Sequence, residues 1–100
     1  MEGDFTNPRS SRHGIFAAIV GYLVRHPDAK DTAGGIRKWW RDPDGPDWPD
    51  AHLEGVIHEL VQRNWLVVRG TAQSPLFGAN PSMLQEMLEF LSETAREIKE

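Results

Sequence analysis

Residues Trp48 to Ala79 read WPDAHLEGVIHELVQRNWLVVRGTAQSPLFGA. Within this stretch Leu53, Val56, Ile57, Leu60 and Val61 recur at three and four residues, the spacing of one face of an α-helix. At Trp65 the character changes. Trp65-Leu66-Val67-Val68 has the aromatic and β-branched composition of a strand, and Gly70 to Pro75 gathers turn formers before a second apolar run. Asn64 falls at the junction, where a helix commonly ends on a left-handed residue, and asparagine tolerates that conformation better than most side chains. The stretch therefore predicts helix, strand, turn and strand in that order.

Working toward the N-terminus, Arg41-Asp-Pro-Asp-Gly-Pro-Asp47 is a loop dense in helix breakers, and Asp47 with Pro49 marks the start of the following helix. Before the loop, Thr32 to about Trp40 is a short helix with Ala33, Ile36 and Trp40 on one face and Trp39 beside them, capped by Asp31 or Thr32. Gly34 and Gly35 each cost about 1 kcal/mol relative to alanine in a helix interior, so packing by the two tryptophans is expected to hold it. Earlier still, Ile15, Phe16, Ile19, Val20, Tyr22 and Leu23 form an apolar sector wider than one stripe. That width predicts a central helix covered on two sides. Pro27 ends it. Residues 1–9 are polar except for Phe5 and read as a loose arm.

Toward the C-terminus, Asn80-Pro81 supplies a cap followed by proline at the first helical position. In the helix that follows, Leu84, Met87, Leu91, Thr94 and Ile98 repeat at three and four residues, widened by Met83, Leu88 and Phe90. That stripe exceeds what one modest internal contact needs. It predicts homodimerisation through Leu84, Met87, Leu88, Leu91 and Ile98, with a helix folded back on its own core as the alternative.

Composition sets the outer bounds. The chain has 100 residues, 39% of them hydrophobic and four of them tryptophan, enough for one folded domain with a single core. It contains no cysteine, which excludes disulfides, thiolate catalysis and cysteine-ligated metals. The formal charge of −4 is the wrong sign for a surface drawn as a whole to phosphate. The acidic start Met1-Glu-Gly-Asp4 lacks the basic region of a secretory signal, and Gly14 to Val24 is too short to span a membrane. A cytoplasmic location is expected.

The order of three helices, a two-stranded hairpin and a further helix resembles the winged-helix superfamily. Leu60-Val-Gln-Arg-Asn-Trp-Leu-Val67 is similar to the place where such domains turn from the third helix into the wing. The expected class is mainly α with a small antiparallel β-hairpin: a winged-helix core over residues 10–79 and an added C-terminal helix over 80–100. That last helix is similar to the dimerising helices of PadR-like bacterial regulators. The resemblance implies either DNA reading, with the third helix in the major groove, or protein docking on the same scaffold.

Surface chemistry separates these two. Between Asp42 and Gln62 lie six acids, Asp42, Asp44, Asp47, Asp50, Glu54 and Glu59, and no lysine or arginine. Acids placed where phosphates approach add repulsion in place of the cationic contacts that supply affinity. The expected interaction face is therefore acidic and comprises Asp47, Trp48, Asp50, Glu54, His58 and Glu59, with Trp48 partly exposed as an anchor for a basic protein partner. The DNA-reading alternative would use Arg37, Lys38 and Arg41, joined by Arg9 and Arg12, on the phosphate backbone. His52, Gln62 and Arg63 would lie near bases, and Arg69 would flank the wing.

Other chemistries fare worse. Asp50, Glu54 and His58 share a helix side, but a capping acid and a solvated pair account for them without a metal. Asp42 to Asp47 has glycine and proline in the wrong places for a calcium loop, with Leu53 where the bidentate glutamate belongs. His13, His26, His52 and His58 are the only bases near neutral pH, and no nucleophile elbow or phosphate cradle accompanies them. No enzymatic activity and no cofactor or metal is expected. The leading expectation is a protein-interaction or dimerisation module, and the alternative is a dimeric transcriptional regulator.

Overall fold

The computed structural model describes residues 12–41 and 47–98, with side chains described as far as residue 94. Residues 1–11, 42–46, 99 and 100 lie outside it, so the N-terminal arm, Arg9, Asp42 and Asp44 are not placed, and neither is the side chain of Ile98. The chain forms α1 (Arg12–Arg25), β1 (Lys30–Asp31), α2 (Ala33–Trp39), α3 (Asp50–Gln62), β2 (Leu66–Gly70), β3 (Pro75–Ala79), a 3-10 turn (Pro81–Met83) and α4 (Leu84–Ile98). It is mainly helical, with a small three-stranded antiparallel sheet in the order β1-β3-β2.

Helix α1 is the centre of the core, as its wide apolar sector predicts. Ile15, Ile19, Val20 and Leu23 are fully buried, and α3 and α4 pack against it. From α3 come Leu53, Val56, Ile57 and Leu60, the predicted stripe. Its C-terminus closes with the Trp65 N–H donating to the Leu60 carbonyl (2.9 Å) and the Asn64 N–H to that of Val61 (3.0 Å). Asn64 has φ 66°, the left-handed residue that this double bond requires. The turn thus delivers Trp65 and Leu66 into the core and starts the hairpin.

The third strand was not legible in the sequence. Lys30 and Asp31 have low strand propensity and no periodicity, yet they pair with Gly78 and Phe77 of β3. The cause lies in the partner strand. A Cβ at Gly78 would stand 3.1 Å from the Lys30 side chain and 3.2 Å from the Ala29 carbonyl, so glycine lets β1 approach. Asp31 then turns back, its Oδ1 accepting from the Thr32 N–H (2.9 Å), while Thr32 Oγ1 caps α2 by accepting from the Gly35 N–H (3.1 Å).

Two expectations about tryptophan need correction. Trp40 is buried beneath α2, but Trp39 is 65% exposed, so one tryptophan and Ile36 hold that helix. Trp48, expected to be partly exposed, is 2% exposed and belongs to the core. Helix α4 turns much of its apolar stripe toward the chain's own core. Met87 is fully buried in the chain's own core, Phe90 meets Phe16 with ring centroids 5.1 Å apart, and Leu84 and Leu91 pack against the same core. Among the described side chains of α4, Leu88 is the large exposed apolar one.

These assignments have measurable consequences in urea denaturation. Met87→Ala is expected to cost about 2–5 kcal/mol, as core truncations do, whereas Leu88→Ala is expected to change stability by less than about 0.5 kcal/mol. The adjacent glycines of α2 should respond oppositely. At Gly34 an added Cβ would make only an ordinary contact, 3.9 Å from Thr32 Oγ1, and its replacement by alanine should stabilise by up to about 1 kcal/mol. At Gly35 an added methyl would collide with the Asp31 carboxylate, so Gly35→Ala should destabilise.

Candidate interaction surface

The acids at the start of α3 do not stand alone. Arg37 of α2 reaches across to both of the nearest ones, with its guanidinium 3.0 Å from Asp47 Oδ2 and 3.0 Å from Asp50 Oδ1. Arg41 Nε lies 3.6 Å from the other Asp47 oxygen. At the far end of the helix, Glu59 accepts from Arg63 at 2.9 Å, and Arg12 of α1 lies 4.0 Å away. The Arg12 guanidinium rests over Gly55, where a Cβ would stand 3.0 Å from it. Arg63 is held further by the faces of Phe16 and Trp65, with centroids at 5.0 and 5.4 Å.

The outward face of α3 therefore carries ion pairs to arginines of other elements beside the exposed Glu54. Four arginines from α1, α2 and the helix end oppose Asp47, Asp50 and Glu59. Such exposed pairs contribute little stability. Their larger effect is on recognition, because the same contacts occupy Arg37, Arg41 and Arg63, the cations a DNA reader would need. Glu54, His58 and Gln62 remain exposed on this face, and His52 is half-buried. On the hairpin Arg69 is exposed beside the turn.

Asp47 records the pairing electrostatically. Its carboxyl is held below the ordinary aspartate range, chiefly by the hydrogen bond from Arg37, with the Trp48 backbone N–H adding to it. Among the described residues, no group of three His, Asp or Glu side chains is arranged to hold a metal ion. His13 sits edge-on to Phe90, and His26 packs against Tyr22. No described helix is long and apolar enough to cross a membrane.

A second surface lies around the C-terminal end of α2. There Trp39 stands out from the protein with Lys38 Nζ 4.9 Å above its ring. Beside it a cleft of about 610 Å³ opens between α1, α2 and α4. A signal was present: two adjacent tryptophans on a seven-residue helix cannot both face one core. A smaller apolar groove of about 320 Å³ runs between α3 and the sheet, edged by Glu54, His58 and the exposed Val68. The expected interface residues are thus divided. Glu54 and His58 border the groove, Asp47, Asp50 and Glu59 are ion-paired, and Trp48 lies in the core.

No protein-family model matches this chain, and none of the curated proteins matches it in sequence.

The Arg37 pairing predicts a pH signature. A carboxylate with a depressed pKa in the folded state stabilises fully above its unfolded value of about 3.9 and loses that contribution as pH falls through the depressed value. Carbon-detected NMR titration should place the Asp47 midpoint below that value, and Arg37→Gln should raise it toward the ordinary range. The stability difference between the wild type and Arg37→Gln should be present at neutral pH and disappear in acid.

Proposed function

We propose that this chain is a winged-helix domain that works as a non-catalytic protein-interaction module. The fold part of this reading is supported by the order α1, α2, α3, hairpin and α4, and by the left-handed Asn64 between α3 and β2. The functional part rests on Trp39. A tryptophan left 65% exposed, next to a cleft and on a helix whose other tryptophan is buried, is the side chain best suited to anchor a partner.

The rival reading, a transcriptional regulator reading duplex DNA with α3, is weakened by the arginine contacts. Helix α3 itself contains no lysine or arginine. The cations that flank it would each have to leave a carboxylate before meeting a phosphate, so the exchange gains little free energy. Arg69 and Lys30 on the sheet are too few to replace them, since phosphate affinity grows with the number of charges neutralised.

Two measurements test this reading. Fluorescence anisotropy with random-sequence duplexes at 50 mM salt should give no binding below about 10 μM; salt-sensitive, sub-micromolar binding lost in Arg63→Ala would favour the regulator instead. A photo-crosslinking amino acid in place of Trp39, in the native cells, should yield protein adducts of defined mass. The same group at Glu86 should yield none. Adducts to nucleic acid, or equal adducts from both positions, would reject the assignment.

A further inference from the structure

We infer that the cleft between α1, α2 and α4 is a docking site for an acidic amphipathic helix of a partner protein, with Trp39 as its anchor. This assignment rests on the interaction-module reading and adds the chemistry of the partner. The cleft is built on small side chains. Ala17, Ala18 and Gly21 of α1 line it, and residues 17 and 21 lie one helical turn apart, so another helix can approach closely. Tyr22 and Trp40, stacked at 4.6 Å with ring planes 13° apart, give it a rigid aromatic wall. Leu91 of α4 completes the apolar lining.

Charge selects the occupant. Arg25 lines the cleft, and Lys38 sits over the exposed anchor ring; Arg41 also lines it, with its charge engaged by Asp47. The Arg25 guanidinium lies 3.5 Å from where a Gly21 side chain would begin, so the cation is folded along the helix toward the cleft. Among the described residues, no aspartate or glutamate lines it. The protein carries a net charge of −4, so this cationic and aromatic surface is a local reversal of its overall sign. An aliphatic floor with a cationic rim matches a helix that presents leucine or phenylalanine at three- and four-residue spacing, with aspartate or glutamate on both flanks. A nucleic-acid base could stack on Trp39 but would leave the aliphatic floor of Ala17, Ala18 and Leu91 unused, because these side chains offer neither stacking nor hydrogen bonds.

Phage display of random 16-residue peptides against the full chain tests the inference. Enriched peptides should be acidic, with large apolar residues at helical spacing. The best one, made synthetically, should bind with a dissociation constant on the order of 10 μM and shift tryptophan emission, as expected for a single short-helix contact. Trp39→Ala and Arg25→Glu should each weaken it at least tenfold with unchanged urea midpoints, while Leu88→Ala should bind normally. Enrichment of basic or uncharged peptides, or no enrichment, would overturn the inference. So would affinity indifferent to Trp39→Ala, an outcome that would leave an interaction module with its docking site elsewhere. Two competitors are also excluded by measurement. Displacement of the peptide by a 20-nucleotide single strand would reassign the cleft to nucleic acid, and a dimer mass in sedimentation equilibrium that Trp39→Ala reduces to monomer would reassign it to a second copy.

Discussion

Three aromatic rings tie the molecule together. Phe16 of α1, Trp65 at the entry to β2 and Phe90 of α4 form a triangle with centroid separations of 5.8, 5.1 and 6.0 Å. Each ring comes from a different segment, so the cluster fixes how the hairpin and the last helix sit against the central one. Large rings bury much apolar area in few rotatable bonds and add edge-to-face attraction. Asn64 is the backbone condition for this cluster, since only its left-handed turn brings Trp65 inward immediately after α3. Asn80 reinforces the joint from the other side, its Nδ2 donating to the Asn64 carbonyl at 2.8 Å and its N–H to that of Trp65 at 3.0 Å.

With α4 fixed in this way, its apolar stripe serves the core. Met87 fills the interior, and Thr94, 8% exposed, is buried near the helix's end. The same placement sets Leu91 against the cleft beside Trp39. Core packing and surface chemistry are therefore coupled: the helix that completes the interior also shapes the cleft beside Trp39.

Electrostatics shows a second coupling. Asp47 and Asp50 approach Arg37 and Arg41 because α2 and α3 pack against each other across the loop, and Glu59 meets Arg12 because α1 lies beside α3. The segment from Asp47 to Gln62 is acidic as a string of residues, and three of its acids meet arginines on the surface. Counting charges along a segment overlooks partners from other elements, and here four arginines come from outside it.

Helical periodicity in α1, α3 and α4, the turn at Gly70 to Pro75, the left-handed Asn64 and the cap at Asn80 were all readable from the residues, because each depends on local backbone preference or on the spacing of apolar side chains. Strand β1 was not, since it exists through the space that Gly78 leaves for it. The exposure of Trp39 and burial of Trp48 reversed the reading from flanking charges, which carry no information on which ring finds room in the core. By itself the sequence determined where the helices and hairpin begin and end, because those are decided within a few neighbouring residues. Only the tertiary structure decided which tryptophan faces water and which charges are already spent, because those depend on contacts between residues distant along the chain.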